Sequence, residues 1–234
     1  MKPKEVIILA GGQGSRLINT VPGIPKVMAP VAGHPFIHYV LEYLIEAGIQ
    51  RFIFALGKQH EPIEAYLNQQ YADLERSIVT EDEPLGTGGA ILNAIGHSTE
   101  NTVAVTNGDT FFMVKLDNIS GFHHMCGAEC TIALKAMKSF SRYGEVVVNK
   151  DYTIAAFNEK KVVSEGLING GFYILNKRLW LQNELPVQFS FEEDYLGKMY
   201  KDRRIYGVPQ DGYFIDIGVP EDFFKAQEDF MQNL

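Results

Sequence analysis

The sequence predicts an α/β protein with a central mixed, mainly parallel sheet flanked by helices. Three observations predict it. In the first half, short apolar runs that stop at glycine or a turn alternate with stretches of helical apolar spacing. The second half adds further strand-like runs and two helical stretches. No linker rich in Pro, Gly or Ser, no low-complexity tract and no internal repeat interrupts the pattern, so residues 1–234 read as a single domain.

Val6–Ala10 (V-I-I-L-A) is a short apolar run ending at glycine, hence a buried strand. Pro35–Ala47 has apolar residues at 36, 37, 40, 41, 44 and 45, which is helical spacing; Pro35 suits its first turn and Gly48 its C-terminal cap. Arg51–Leu56, Arg76–Thr80 and Thr102–Thr106 read as strands, with helices over Pro62–Tyr71 and Gly89–Ile95 between them. The last of these strands stops at Asn107-Gly108-Asp109. Farther on, Thr131–Met137, Glu145–Asn149, Thr153–Phe157, Gly171–Leu175 and Arg204–Val208 read as strands, and Ser190–Tyr200 and Pro220–Gln232 as helices. No hexapeptide repeat follows, so an acyltransferase-type second domain is not expected.

The 234 residues carry 21 Lys+Arg against 29 Asp+Glu, a net charge of −8, which argues against a nucleic-acid partner. A nucleotide substrate stays open, because a local cluster of cations and a metal bind phosphates within an acidic protein. No apolar run approaches the roughly 18 residues of a membrane span, and Val6–Ala10 is too short for a signal peptide. Two cysteines are too few for a disulfide framework. The expectation is a reduced, cytoplasmic protein without a membrane or nucleic-acid partner; a homo-oligomer remains open.

Leu9-Ala10-Gly11-Gly12-Gln13-Gly14-Ser15-Arg16-Leu17 is a strand entering a glycine-rich turn, and such turns let backbone N–H groups cradle an anion. A dinucleotide fingerprint fails because Leu17 stands where a third glycine is needed. A P-loop fails because the triplet is Gly14-Ser15-Arg16 rather than Gly-Lys-Ser/Thr. Alone, the loop is weak evidence, since a tight strand-to-helix turn also accounts for its glycines. The next segment holds prolines at 22, 25, 30 and 35 and one lysine, Lys26, either a surface lysine or a cation presented by a stiff loop.

L-A-G-G-Q-G-S-R-L followed by P-K-V-M-A-P-V resembles the signature of the sugar-1-phosphate nucleotidyltransferases, G-G-x-G-T/S-R-L and then P-K-x-x-x-P-V. The resemblance implies a Rossmann-like, GT-A-like fold whose nucleotide-binding half is about 1–110 and whose sugar-phosphate-binding half is about 111–234. It implies that Leu9, Ala10, Gly11, Gly12, Gly14, Ser15 and Arg16 hold the nucleotide, and that Lys26 contacts the reacting phosphate. Glu81-Asp82-Glu83-Pro84-Leu85-Gly86-Thr87-Gly88-Gly89 resembles the family's base-recognition loop, implicating Glu81, Leu85, Gly86 and Thr87. Members that use uracil or thymine often carry Gln at the position of Glu81. A carboxylate accepts from both N1–H and NH2 of guanine, so Glu81 points to GTP; read alone, it is an exposed acid at a strand end.

Asn107-Gly108-Asp109 ends a strand at the sheet edge where open α/β sheets bind ligands. Asp109 by itself is also an ordinary turn residue. In the family, this aspartate and a later one, here Asp216 of Tyr213-Phe214-Ile215-Asp216-Ile217-Gly218, bind one Mg²⁺, which suits an ion held by one or two carboxylates plus phosphate oxygens. The resemblance also assigns the sugar phosphate to Tyr143-Gly144, Glu159-Lys160 and Asn169-Gly170-Gly171, with Lys161 departing from the proline usual after the Glu-Lys pair.

L-I-N-G-G-F-Y-I-L (167–175), F-S-F-E-E-D-Y-L (189–196) and Y-F-I-D-I-G-V-P-E-D-F (213–223) resemble the members that act on D-glycero-α-D-manno-heptose 1-phosphate with GTP. The implied reaction gives GDP-heptose and pyrophosphate, with Arg16, Lys26, Lys160 and Asp109 as catalytic residues. Mannose, glucose or N-acetylmuramate 1-phosphate with GTP, UTP, CTP or dTTP is the alternative substrate set. A non-catalytic sugar-nucleotide-binding regulator is the alternative class, and a glycosyltransferase is disfavoured because Asp109-Thr110-Phe111 is not Asp-x-Asp. His123-His124-Met125-Cys126-Gly127-Ala128-Glu129-Cys130 lacks zinc-knuckle spacing and reads as ordinary packing across a helix end, a turn and a strand start. Phe111-Phe112 and Phe223-Phe224 read as core.

Overall fold

The computed structural model describes residues 2–12 and 21–232. Strand β1 (Glu5–Ala10) is followed by the short pair β2 (Pro30–Val31) and β3 (His34–Pro35), then α1 (Phe36–Glu46), β4 (Arg51–Leu56), α2 (Glu61–Gln70), β5 (Glu75–Thr80), α3 (Gly86–Ile95) and β6 (Thr102–Asn107). Next come β7 (Thr110–Phe112), α4 (Leu116–Met125), β8 (Cys130–Phe140), β9 (Val146–Val148), β10 (Ile154–Phe157), β11 (Val163–Asn176) and α5 (Lys177–Trp180). A π-helical turn at Phe191–Leu196 leads into α6 (Gly197–Met199), and β12 (Ile205–Gln210), β13 (Phe214–Asp216) and α7 (Pro220–Met231) complete the order.

Seven strands form the main sheet in the order β12-β8-β11-β6-β1-β4-β5. Neighbours run parallel except β11, which is antiparallel to both β8 and β6. The sheet is therefore mixed and mainly parallel, as the sequence predicts. The continuous apolar runs follow from burial on both faces. Val6 and Ile8 of β1 pack in one cluster with Phe36 and Leu41 of α1 and Phe223 and Phe230 of α7. Ile7 faces the opposite cluster, with Ile91 and Ile95 of α3 and the aromatic group Trp180, Phe191 and Tyr195.

Differences from the sequence reading have local causes. Pro35 is extended (φ −58°, ψ 143°) and flanks α1 rather than entering its first turn, while Gly48 adopts φ +89° just past the helix end. Strands β7 and β13, three residues each, are too short for a periodicity signal. Strand β11 begins at Val163 rather than Gly171 because pairing with β8, such as Glu165 with Lys138, extends it through a polar stretch. The helix expected over Ser190–Tyr200 is a π-turn followed by a short α segment. Phe111, Phe112 and Phe223 are buried, but Phe224 is 58% exposed: α7 turns Phe223 inward, so its neighbour faces out. His123 is buried, with Nδ1 against the Thr131 hydroxyl at 2.9 Å, and burial holds its pKa down at about 4. No helix among the described residues is long and apolar enough to cross a membrane.

Glu5 is buried where β1 begins. Burial alone would raise its carboxyl pKa. Hydrogen bonds from the Ser98 hydroxyl, the Thr99 hydroxyl (2.6 Å) and N–H (3.0 Å), and the Glu100 N–H outweigh burial and hold the pKa at about 2. A pKa depressed on folding contributes stability that is complete above the unfolded value and is lost as pH falls through the folded one. Glu5→Gln should cost about 1.5–3 kcal/mol at pH 7. The difference from wild type should shrink as pH falls from 4.5 towards 2 in urea titrations.

Candidate active site

The parallel strands β1, β4 and β6 end on one edge of the sheet, and the residues after them converge there. Gly108 N–H donates to the Leu9 carbonyl at 2.8 Å, joining the turn after β6 to the end of β1. A Cβ at Gly57 would lie 2.6 Å from the Gly11 carbonyl oxygen, so only glycine lets the loop after β4 pass the first loop this closely. Glu81 N–H donates to the Leu56 carbonyl at 3.0 Å, bringing Glu81 to the same edge. Its Oε2 accepts from Leu85 N–H at 3.2 Å, and its Oε1 would lie 3.1 Å from a Cβ on Gly11. Burial raises the Glu81 carboxyl above its ordinary pKa, opposed by the Leu85 N–H. The structure thus brings Glu81, Leu85 and Gly11 together. Gly14, Ser15 and Arg16 lie outside the described residues.

Gly86, at φ +75°, opens α3, and a side chain there would overlap the Phe189 carbonyl. Thr87 turns its hydroxyl to Glu192 Oε2 (2.6 Å) and accepts from Phe191 N–H (2.9 Å).

Asp109 and Asp216, far apart in sequence, meet because β7 and β13 pair antiparallel, with Asp216 opposite Thr110. Ile217 N–H donates to the Asp109 carbonyl at 3.1 Å and closes the join. Lys26 opens a 3-10 turn whose Val27 is buried. Its Nζ lies 2.5 Å from Asp109 Oδ2 and 3.8 Å from Asp216 Oδ1. Asp216 Oδ1 also accepts from Gly218 N–H at 2.7 Å. A Cβ on Gly218 would stand 2.8 Å from that oxygen and 3.1 Å from Lys26 Nζ, which explains the glycine. Burial first, and then the Asp109 charge, raise the Asp216 carboxyl pKa against the opposing effects of Lys26, Gly218 N–H and Arg142. Two carboxylates that share one lysine, the more buried of them resisting ionisation, offer oxygen donors that fit a hard divalent cation completing its shell with phosphate oxygens and water. A cleft of about 310 Å³ opens over them, lined also by Leu9, Ala10, Gly12 and Asn107.

Of the segments expected to bind the sugar, those of Tyr143 and Gly171 touch residues that line this cleft, Asp216 and Asn107. Tyr143 directs its hydroxyl to Asp216 Oδ2 at 3.4 Å. A Cβ on Gly144 would be 2.7 Å from the Asn158 carbonyl oxygen, so that glycine admits the chain just before Glu159-Lys160. Both Glu159 and Lys160 are exposed, and Lys161, in place of the proline, reaches Glu145 at 4.0 Å. Asn169 donates to the Tyr173 hydroxyl (2.9 Å) and accepts from Gly171 N–H (3.0 Å). Gly171, at φ +69°, lies so close to Asn107 that a Cβ would be 2.7 Å from its Nδ2, and Gly170 rests against the Phe112 ring.

Two residues at these contacts escape sequence reasoning. Arg142 spans Asp216 (Nη2 to Oδ2, 3.5 Å) and Asp222 (Nη1 to Oδ2, 2.5 Å); its only sequence signal is its place before Tyr143-Gly144. Glu192 takes the Thr87 hydroxyl on Oε2 and the Tyr173 hydroxyl on Oε1 (3.5 Å). Three consecutive acids, Glu192, Glu193 and Asp194, give the sequence no means of choosing among them.

The family profile described as Nucleotidyl transferase matches residues 5–233. The chain is 46% identical to a D-glycero-alpha-D-manno-heptose 1-phosphate guanylyltransferase of Aneurinibacillus thermoaerophilus, across 96% of this chain and 97% of that one. It is 40% identical to the protein of the same name in Campylobacter jejuni, across 94% and 97%. Among solved structures it is similar to HddC from Yersinia pseudotuberculosis, with TM-score 0.86 and 36% identity over 98% of this chain and all of that one. A crystal structure of that protein complexed with GMP-PN gives TM-score 0.84.

Glu192→Gln leaves one acceptor oxygen for three hydroxyl donors, Thr87, Tyr173 and Ser190. The variant should lose about 1.5–3 kcal/mol of stability. Amide exchange should quicken around residues 85–89 and 189–192 while β1 and β4 stay protected, as read by hydrogen–deuterium exchange.

Proposed function

The chain belongs to the nucleotidyl transferase family, and we propose from that premise that it transfers GMP from GTP to D-glycero-α-D-manno-heptose 1-phosphate. The products are GDP-heptose and pyrophosphate, and the GDP-heptose serves cell-surface polysaccharide synthesis. The observation that carries this reading is the constellation of Lys26, Asp109 and Asp216 at the carboxyl edge of the sheet, beside the Gly11–Glu81 contact. The names of the two full-length relatives support the choice of sugar and base.

An oxygen of the sugar phosphate attacks the α-phosphorus in line, and pyrophosphate departs. The second pKa of a phosphate monoester is about 6, so the nucleophile is already largely ionised at neutral pH. No residue need remove a proton, and catalysis reduces to alignment and charge neutralisation. Leu9, Ala10, Gly11, Gly12, Gly14 and Ser15 line the nucleotide with backbone atoms, and Arg16 binds the triphosphate. Glu81, Leu85, Gly86 and Thr87 receive the base, and Asn107 and Gly108 floor the cleft. Lys26 leaves the aspartates for the reacting phosphate. Tyr143, Gly144, Glu159, Asn169 and Gly170 hold the sugar, and Lys160 meets its phosphate. Asp109 and Asp216 would hold Mg²⁺, which when bound neutralises charge on phosphate oxygens as a Lewis acid. In this reading residues 1–110 serve the nucleotide and 111–234 the sugar phosphate. The enzyme works in the cytoplasm, where GTP is at hand.

A matrix of nucleoside triphosphates against sugar 1-phosphates, read by pyrophosphate release, tests the assignment. Asp109→Ala and Asp216→Ala should each abolish turnover in a protein that still folds. Near wild-type rates with Mg²⁺ in either folded variant would remove that aspartate from the metal site.

Base choice follows from Glu81. One carboxylate accepts several hydrogen bonds, so the Leu85 N–H leaves capacity for guanine N1–H and NH2. Uracil offers only N3–H, flanked by two carbonyls that face the carboxylate. One charge-assisted hydrogen bond is worth about 1.5–3 kcal/mol, or roughly 10- to 150-fold. GTP should therefore exceed UTP in kcat/KM, and Glu81→Gln should narrow the ratio by a similar factor. A wild-type preference for UTP or dTTP would refute the guanylyl assignment; an unchanged ratio in the variant would remove only the role of Glu81.

A further inference from the structure

We infer that Arg142 is a positioning residue: it holds the Asp216 carboxylate in place for the divalent cation through a carboxylate–guanidinium–carboxylate bridge to Asp222. The inference rests on the metal-dependent transfer proposed above. The two oxygens of Asp216 have separate partners. Oδ1 faces Gly218 N–H at 2.7 Å and Lys26 Nζ at 3.8 Å. Oδ2 faces the Tyr143 hydroxyl at 3.4 Å and Arg142 Nη2 at 3.5 Å. In the transfer reaction Lys26 is called away to a phosphate, so Asp216 then needs a cation that stays.

Arg142 is built to stay. Its Nη1 is fixed on Asp222 Oδ2 at 2.5 Å, its Nη2 also donates to the Tyr143 hydroxyl, and its guanidinium lies 4.7 Å over the Tyr143 ring. Asp222 sits in the first turn of α7, where the helix terminus favours an acid, and α7 is anchored through buried Phe223, Ala226 and Phe230. The bridge thus refers Asp216 to a helix rather than to the loop that carries Arg142. A planar fork reaches two carboxylates in one fixed geometry, which an ammonium on a flexible stem does not.

A cation this close to a metal ligand repels a divalent ion. Charge alone and positioning therefore predict opposite signs when it is removed. If Arg142 acts only as a charge, Arg142→Gln tightens metal binding and Arg142→Lys leaves it unchanged. If it orients Asp216, both variants weaken binding. Outer partners of metal ligands typically contribute 10- to 100-fold in affinity or activity.

The test is titration of the full-length protein with Mn²⁺ alone, free ion read by electron paramagnetic resonance, with Mg²⁺-dependent kinetics and thermal melts alongside. Both variants should bind Mn²⁺ about 10-fold more weakly. Their half-saturating Mg²⁺ should rise by a similar factor, with kcat at saturating Mg²⁺ within a few-fold of wild type. Unchanged or tighter Mn²⁺ binding by either folded variant overturns the inference. So does a kcat that saturating Mg²⁺ fails to restore, which would make Arg142 a substrate-contacting group. Should Arg142→Gln fail to fold, Arg142→Lys decides alone, since it retains the charge. Absence of Mg²⁺-dependent transfer in the wild type would instead defeat the proposed function, while the Mn²⁺ comparison would still read the bridge.

Discussion

Asp109 and Asp216 bring two like charges into one half-buried space, and the rest of the site is arranged around that constraint. Their separation is fixed by backbone: β7 and β13 pair, and Ile217 N–H closes on the Asp109 carbonyl. Their charge is met by Lys26 between them and by Gly218 N–H and Arg142 on Asp216. A pair held together by β pairing cannot relax by moving away. It is relieved by a cation or by a proton, and burial first, with the Asp109 charge second, raises the Asp216 pKa. Lys26 sits between the two carboxylates, on a turn whose buried Val27 keeps its Nζ within reach of both.

Strand β11 lies between β6 and β8, and a bulge at Asn169-Gly170-Gly171 shifts its register with β8 where it meets Asn107 and Phe112. Tyr173, fully buried in β11, then links the bulge to Glu192, and Glu192 links to Thr87. Thr87 and the Asn169-Gly170-Gly171 bulge thus share one polar connection, which passes beside the ring of Phe191.

Much of this was legible in the sequence because the signals were local. Val6–Ala10 running into glycines, the spacing of α1, and the Asn107-Gly108-Asp109 stop each lie within a few residues, and each is found close to its expected bounds. Strands β7 and β13 were not legible, because three residues carry no period and their pairing is non-local. That pairing is also what joins the two aspartates, so the sequence, resemblance apart, could name both but not bring them together. Phe224 failed for a related reason: on a helix, adjacent aromatics face different directions, and only packing selects Phe223. Arg142 pairs with acids 74 and 80 residues on, and Glu192 takes hydroxyls from residues 105 and 19 positions back, so no local pattern in the sequence gives either its role.

The glycines show where structure and resemblance supply different reasons for one residue. Resemblance explains Gly11 and Gly144 by the approach of a ligand. The fold gives each a second reason: Gly11 admits Gly57 and Glu81, and Gly144 admits the Asn158 carbonyl. These demands are compatible, because a backbone without a side chain is open on the side facing the cleft as well as towards its neighbour. A substitution at Gly144 would strike the fold directly, so a loss of activity there says little about contact with substrate. Lys26, Glu81 and Arg142 are cleaner probes: each meets its partners through a terminal charged group, and a conservative change alters that group while leaving the backbone path intact.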